Sequence, residues 1–182
     1  MDPLAWLGLK SKSEAHPNVS AVFETVTAAL PQHEAPVIRY VVVVAILLTR
    51  VAFADGRFAP REHLHLRRQL RRIGALPDEA VEDLCDVLCA RVPELSAAEL
   101  ELLFRELKSL CDAKERLQVL RLLAAQAASD GELAPAEHGE LVAVATELGV
   151  PVEVLSELEV EALVRVETGA EGSSRPPASS SK

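Results

Sequence analysis

The sequence predicts an all-α domain of two similar four-helix halves, and three observations lead there. Apolar residues make up 49% of the 182, but aromatics only 3%, so the core is aliphatic. Much of it is Leu and Ala, which are strong helix formers. Turn residues stand at long intervals, not at the roughly 8–12 residue spacing of a β-sandwich or barrel. One motif is also written twice. Asp55-Gly56-Arg57-Phe58-Ala59-Pro60-Arg61-Glu62-His63 returns as Asp130-Gly131-Glu132-Leu133-Ala134-Pro135-Ala136-Glu137-His138, at an offset of 130 − 55 = 75 residues. A repeat of that length implies an internal duplication.

Residues 1–17 read as an apolar tip and linker, with Leu4, Trp6, Leu7 and Leu9 ahead of a polar run; Trp6 is expected as a lid on the core. Val22, Val26, Ala29 and Leu30 recur at helical spacing over about 20–30 until Pro31 stops them. The next helix, about 37–54, contains Tyr40–Leu48 and is apolar nearly all round, so it belongs at the centre. Arg39 and Arg50 bracket that run, leaving it well short of the ~20 residues of a membrane span. Pro60 opens a helix that Gly74 should close, and Pro77 opens another, to about 91, with Val81, Leu84, Cys85, Leu88 and Cys89 on one stripe.

The second half repeats the layout. Ser96 with Glu99, and Asp112 with Glu115, read as capping boxes for helices at about 97–110 and 113–129. Pro135 opens a helix closing at Gly149, and Pro151 opens the last, to about 165. The predicted domain thus spans 18–166, in halves of about 18–92 and 93–166. Residues 167–182 form a Ser/Pro-rich tail with nothing to bury, expected to be disordered.

With 28 acidic and 19 basic residues the net charge is −9. Such a chain has no general pull toward nucleic acid and attracts cations or a basic partner instead. Three cysteines, Cys85, Cys89 and Cys111, do not make a disulfide framework, and no secretory leader is recognisable. The expectation is the reducing cytoplasm. No nucleophile–base set, Gly-rich phosphate loop or H-E-x-x-H occurs, so the expected role is non-enzymatic.

The chemistry lies in the two elbows. Each holds an Asp at a helix end and a Glu seven residues on, in the first turn of the next helix. A bend between them can aim both carboxylates at one point, and carboxylate oxygens suit Ca²⁺, Mg²⁺ or Mn²⁺. Two elbows related by a pseudo-twofold would supply Asp55, Glu62, Asp130 and Glu137. The alternative is that the acids only cap: Glu at the third helical position can accept its own helix's free N–H groups, and Asp-Gly is ordinary turn chemistry. The Gly, apolar residue and Glu fit EF-hand spacing, but Val51 and Phe53, or Gln126 and Ala128, occupy the first and third ligand positions.

The paired elbows, Ala54-Asp55-Gly56 with Glu62 and Ser129-Asp130-Gly131 with Glu137, each preceded by a helical run, resemble the tellurite-resistance TerB family and its TerB-like relatives over roughly residues 20–165. The resemblance implies a compact helical domain of two similar halves whose elbow acids bind metal. It also implies protein partners in stress-response assemblies, some of them membrane-associated. Carried onto this chain, the metal ligands are Asp55, Glu62, Asp130 and Glu137. Arg57 departs from the pattern by placing a cation beside the first pair. Glu132 at the equivalent slot makes the second copy the better cation site.

Three further features have plainer readings. His63 and His138 follow the elbow glutamates but diverge from them by about 100° on a helix, so they are expected at the surface. Arg61, Arg67, Arg68, Arg71 and Arg72 read as a solvated face answering nearby acids, with a docking patch for an anionic partner as the alternative. The cysteines read as core thiols.

Overall fold

A computed structural model describes residues 16–56 and 60–168. The Trp6 tip, the segment Arg57–Ala59 and the tail from residue 169 lie outside the described residues, and with them the expectations placed on Trp6, Arg57 and the tail. Eight α-helices follow one another: α1 (Pro17–Ala29), α2 (Ala35–Ala52), α3 (Pro60–Gly74), α4 (Asp78–Arg91), α5 (Ala97–Leu110), α6 (Ala113–Ala127), α7 (Pro135–Leu148) and α8 (Val152–Glu167). Short 3-10 turns follow α4 (Val92–Glu94) and α6 (Ala128–Asp130), and no strand occurs among the described residues.

α2 is the axis. It packs against α1, α3, α4, α5, α6 and α7. Every residue from Val41 to Thr49 is buried, and Ile46, Leu47 and Leu48 are fully so. Each such side chain contributes about 1.5–3 kcal/mol through removal from water. By length and composition α2 could cross a membrane, but 67% of it is buried inside the domain. The two arginines that bracket its apolar run are neutralised by other helices. Arg39 lies 3.2 Å from Glu106 on α5, and Arg50 forms a two-pronged pair with Glu140 on α7. Burial pushes the Glu106 carboxyl up, and Arg39 pulls it back.

The starts of the second-half helices are set by local chemistry, as expected. Ser96–Glu99 and Asp112–Glu115 both form reciprocal capping boxes. Glu99 does more: it also accepts the backbone N–H groups of Asn18 and Val19, tying the start of α1 to the start of α5. Gly131 and Gly149 take left-handed conformations after the second-half helices (φ 99° and 71°), as does Gly56 in the turn after α2 (φ 77°).

Gly74 closes α3 as expected, but without the left-handed turn. It is the last residue of α3 itself, and the left-handed residue is Ala75, at φ 49°. Packing explains the glycine: a Cβ there would stand 3.1 Å from Leu76 Cγ and 3.6 Å from Leu30 Cδ1. The basic run on α3 faces the acids of α4. Arg67 pairs with Glu82, and Arg71 Nε lies 2.8 Å from Asp78 Oδ1.

Candidate functional site

The elbows follow α2 and α6 and lead into α3 and α7. At the second, α6 tightens into the 3-10 turn Ala128–Asp130, and Gly131 turns left-handed to release the chain. The Asp130 side chain accepts the Glu132 N–H at 3.0 Å, an Asx-type turn. Pro135 then starts α7. In the first copy α2 ends at Ala52, Asp55 is exposed in the turn that follows, and Pro60 starts α3.

The two elbows are stitched to each other. α3 packs on α6 and on the 3-10 turn. Gln126, fully buried on α6, donates from Nε2 to the Glu62 carbonyl at 3.1 Å. Arg61 Nη1 donates to the Asp130 carbonyl at 3.3 Å. This seam brings the two glutamates together. Glu62 is 7% exposed and Glu137 5%, and their carboxyl groups come within hydrogen-bonding reach of each other.

Glu137 divides its two oxygens between both expected roles. Oε2 accepts the Ala134 N–H at 2.8 Å, the capping bond at the start of α7. Oε1 is buried with no N–H or hydroxyl donor in reach, and the neighbour able to share a proton with this carboxyl is Glu62. Burial pushes the Glu137 carboxyl up to about 7. The Ala134 N–H pulls it down, and the neighbouring Glu62 and Asp130 charges push it up again. Two carboxylates at this range repel unless a proton or another cation stands between them.

Of the four acids picked from sequence, Glu62 and Glu137 face each other, Asp130 acts on Glu137 through its charge, and Asp55 is exposed after α2. Among the described residues no three His, Cys, Asp or Glu side chains gather as a cluster able to hold a metal ion. Glu62 and Glu137 form a buried pair, and the Asp130 charge bears on Glu137.

Sequence reasoning passed over Gln126 as a ligand. Its Oε1 is buried without a partner, and so is the Ser129 Oγ. With Glu137 Oε1, three unsatisfied buried oxygens fall within residues 126–137, on the second elbow. The available signal was a glutamine amid the apolar run of α6. Carboxylate, amide and hydroxyl oxygens are the kinds of ligand that a hard cation takes.

His138 is exposed, with Nδ1 2.8 Å from Glu159 Oε1 on α8, and His63 is half-buried. All three cysteines are free, and burial raises each thiol, Cys85 to about 11.

No curated protein and no solved structure matches the chain. The family model of tellurite resistance protein TerB matches residues 41–159, from the central helix through both elbows and into the last helix. That span is well over half of the sequence, and with the all-helical architecture it shows that the chain belongs to the TerB family.

Proposed function

We propose that this TerB-family module is non-enzymatic and binds a divalent cation where its elbows meet, through Glu62 and Glu137 with Asp130 alongside and Asp55 as the matching acid of the first copy. What supports the reading above all is the set of buried second-elbow oxygens without donors, beside a second buried carboxyl. Gln126 and Ser129 complete the candidate donors. A bound Ca²⁺, Mg²⁺ or Mn²⁺ would supply the positive charge that the facing carboxylates lack. The chain's own contribution is to hold the two acids out of water and against each other. In this reading the bound form is the one that docks a protein partner within a stress-response assembly. Three free, unreactive thiols support a reducing, cytoplasmic setting.

Thermal melts test it. At pH 8, millimolar Ca²⁺, Mg²⁺ or Mn²⁺ should raise the midpoint of the wild type over the same sample in EDTA. A ligand at 100 times its Kd stabilises by about 2.7 kcal/mol. Glu62→Gln and Glu137→Gln should lose that gain. A response shared equally by wild type and variants overturns the proposal.

One observation favours a second reading, in which the elbow acids only cap and the domain is a structural adaptor: Glu137 Oε2 does cap α7. That reading expects Glu137→Ala to cost on the order of 1 kcal/mol with no change in cation response.

A further inference from the structure

A second site lies apart from the elbows, between the C-terminal half of α3, the middle of α6 and the end of α8. A cavity of about 430 Å³ opens there, within the size range of small-molecule sites. Its rim carries Arg72 from α3, Arg121 from α6 and Arg165 from α8. Three guanidinium groups at one opening are unexpected in a chain of net charge −9. The one described carboxylate that answers them is Glu161, which serves two at once. Its Oε2 lies 3.4 Å from Arg121 Nε, and its Oε1 lies 2.5 Å from Arg165 Nη2. No carboxylate among the described residues pairs with Arg72. The opening therefore holds three positive charges against one negative.

The wall is apolar, with Ile73, Leu122 and Ala162 among its residues. Tyr40 and Gln118 also line a neighbouring cavity of about 290 Å³, together with Val37, Leu110, Cys111 and the exposed Glu115, whose carboxylate accepts the Asp112 N–H. The two cavities share Tyr40 and Gln118 and so adjoin, the first carrying three arginines and the second largely apolar apart from one exposed acid, Glu115. A bare inorganic anion would use only the first.

We propose that this groove binds a soluble amphipathic oxyanion, its head group on Arg72, Arg121 and Arg165 and its apolar chain running past Tyr40 toward Val37 and Leu110. Arginine forks match the planar spread of phosphate and carboxylate oxygens. Glu161 accepts a hydrogen bond from Arg165 and lies beside Arg121 in the absence of ligand, and it is displaced by the incoming head group. It sets the affinity by competition.

The test is calorimetric titration of the full chain with octyl phosphate below its micelle concentration, with EDTA present so that the elbows play no part. Octyl phosphate should bind one to one, at least tenfold more tightly than inorganic phosphate and more tightly than octanol. Arg72→Glu, at an exposed position that leaves the core untouched, should weaken it at least tenfold. Glu161→Gln should tighten it at least twofold, a gain that a merely structural role for Glu161 would not produce. Octyl phosphate binding that is absent, unchanged in Arg72→Glu, or matched by octanol would overturn the proposal. So would binding confined to phosphatidic acid vesicles with none to soluble octyl phosphate, because the occupant would then be a membrane surface.

Discussion

Glu137 holds two jobs in one side chain, and they oppose each other. One oxygen ends a helix; the other is buried beside a second acid. The consequence is a pH dependence with an unusual sign. The folded-state value is about 7, against about 4.3 for an unfolded glutamate. Between those pH values the folded chain holds a proton that the unfolded chain has released. The group's contribution is therefore whole below the unfolded value and fades as pH rises to about 7. Metal-free protein should lose stability from this residue between pH 5 and pH 8. Glu137→Gln, which keeps an oxygen for the Ala134 N–H, should flatten that stretch of the profile in thermal melts. Glu99 runs the other way. Burial pushes it up, but hydrogen bonds from Ser96, Asn18 and Val19 prevail and leave it lowered. Its stabilisation is present above the unfolded value and disappears as acid protonates it. Loss of denaturant resistance in Glu99→Gln should therefore be plain at pH 7 and small at pH 3.

At the scale of the helix, boundaries are where the sequence was most legible, because caps are local. Ser96, Asp112, Pro60 and Pro135 announce helix starts within three or four residues, and all of them hold. α3 ends at Gly74 as expected, but glycine has two uses and the one here is not the left-handed turn. Gly74 serves close packing against Leu76 and Leu30, while Ala75 carries the left-handed turn. Ala75→Gly should therefore stabilise the domain by about 0.5–1 kcal/mol, as relief of the left-handed penalty outweighs the added chain entropy. Gly131→Ala, at φ 99°, should cost about 1–2 kcal/mol. Urea unfolding reads both. What the sequence left illegible depends on geometry between helices. Arg39 and Arg50 looked like ends of an apolar run, and only packing reveals Glu106 and Glu140 as their partners. The equivalent positions of Glu62 and Glu137 were legible in the repeated motif, whereas the exposure of Asp55 was not. The groove of Arg72, Arg121 and Arg165 was not, since three unrelated helices contribute one residue each and no short-range pattern links them.

Across the whole molecule, one apolar helix organises both elbows. α2 leads directly into the first, and α6, packed along α2, leads into the second. Leu47→Ala in its fully buried middle should cost about 2–5 kcal/mol and loosen the seam that holds the glutamates together. In the reading proposed above, this seam exchanges a proton for a metal ion. Calorimetric titration of metal-free protein with Ca²⁺ at pH 7, in two buffers of different ionisation heat, tests it most directly because the difference counts protons released on binding. The expected result is saturable binding with release of about half a proton, for a site whose carboxyl titrates near that pH, and loss of both signals in the Glu62→Gln and Glu137→Gln variants. Absent heats, or heats and proton counts unchanged in those variants, would contradict it.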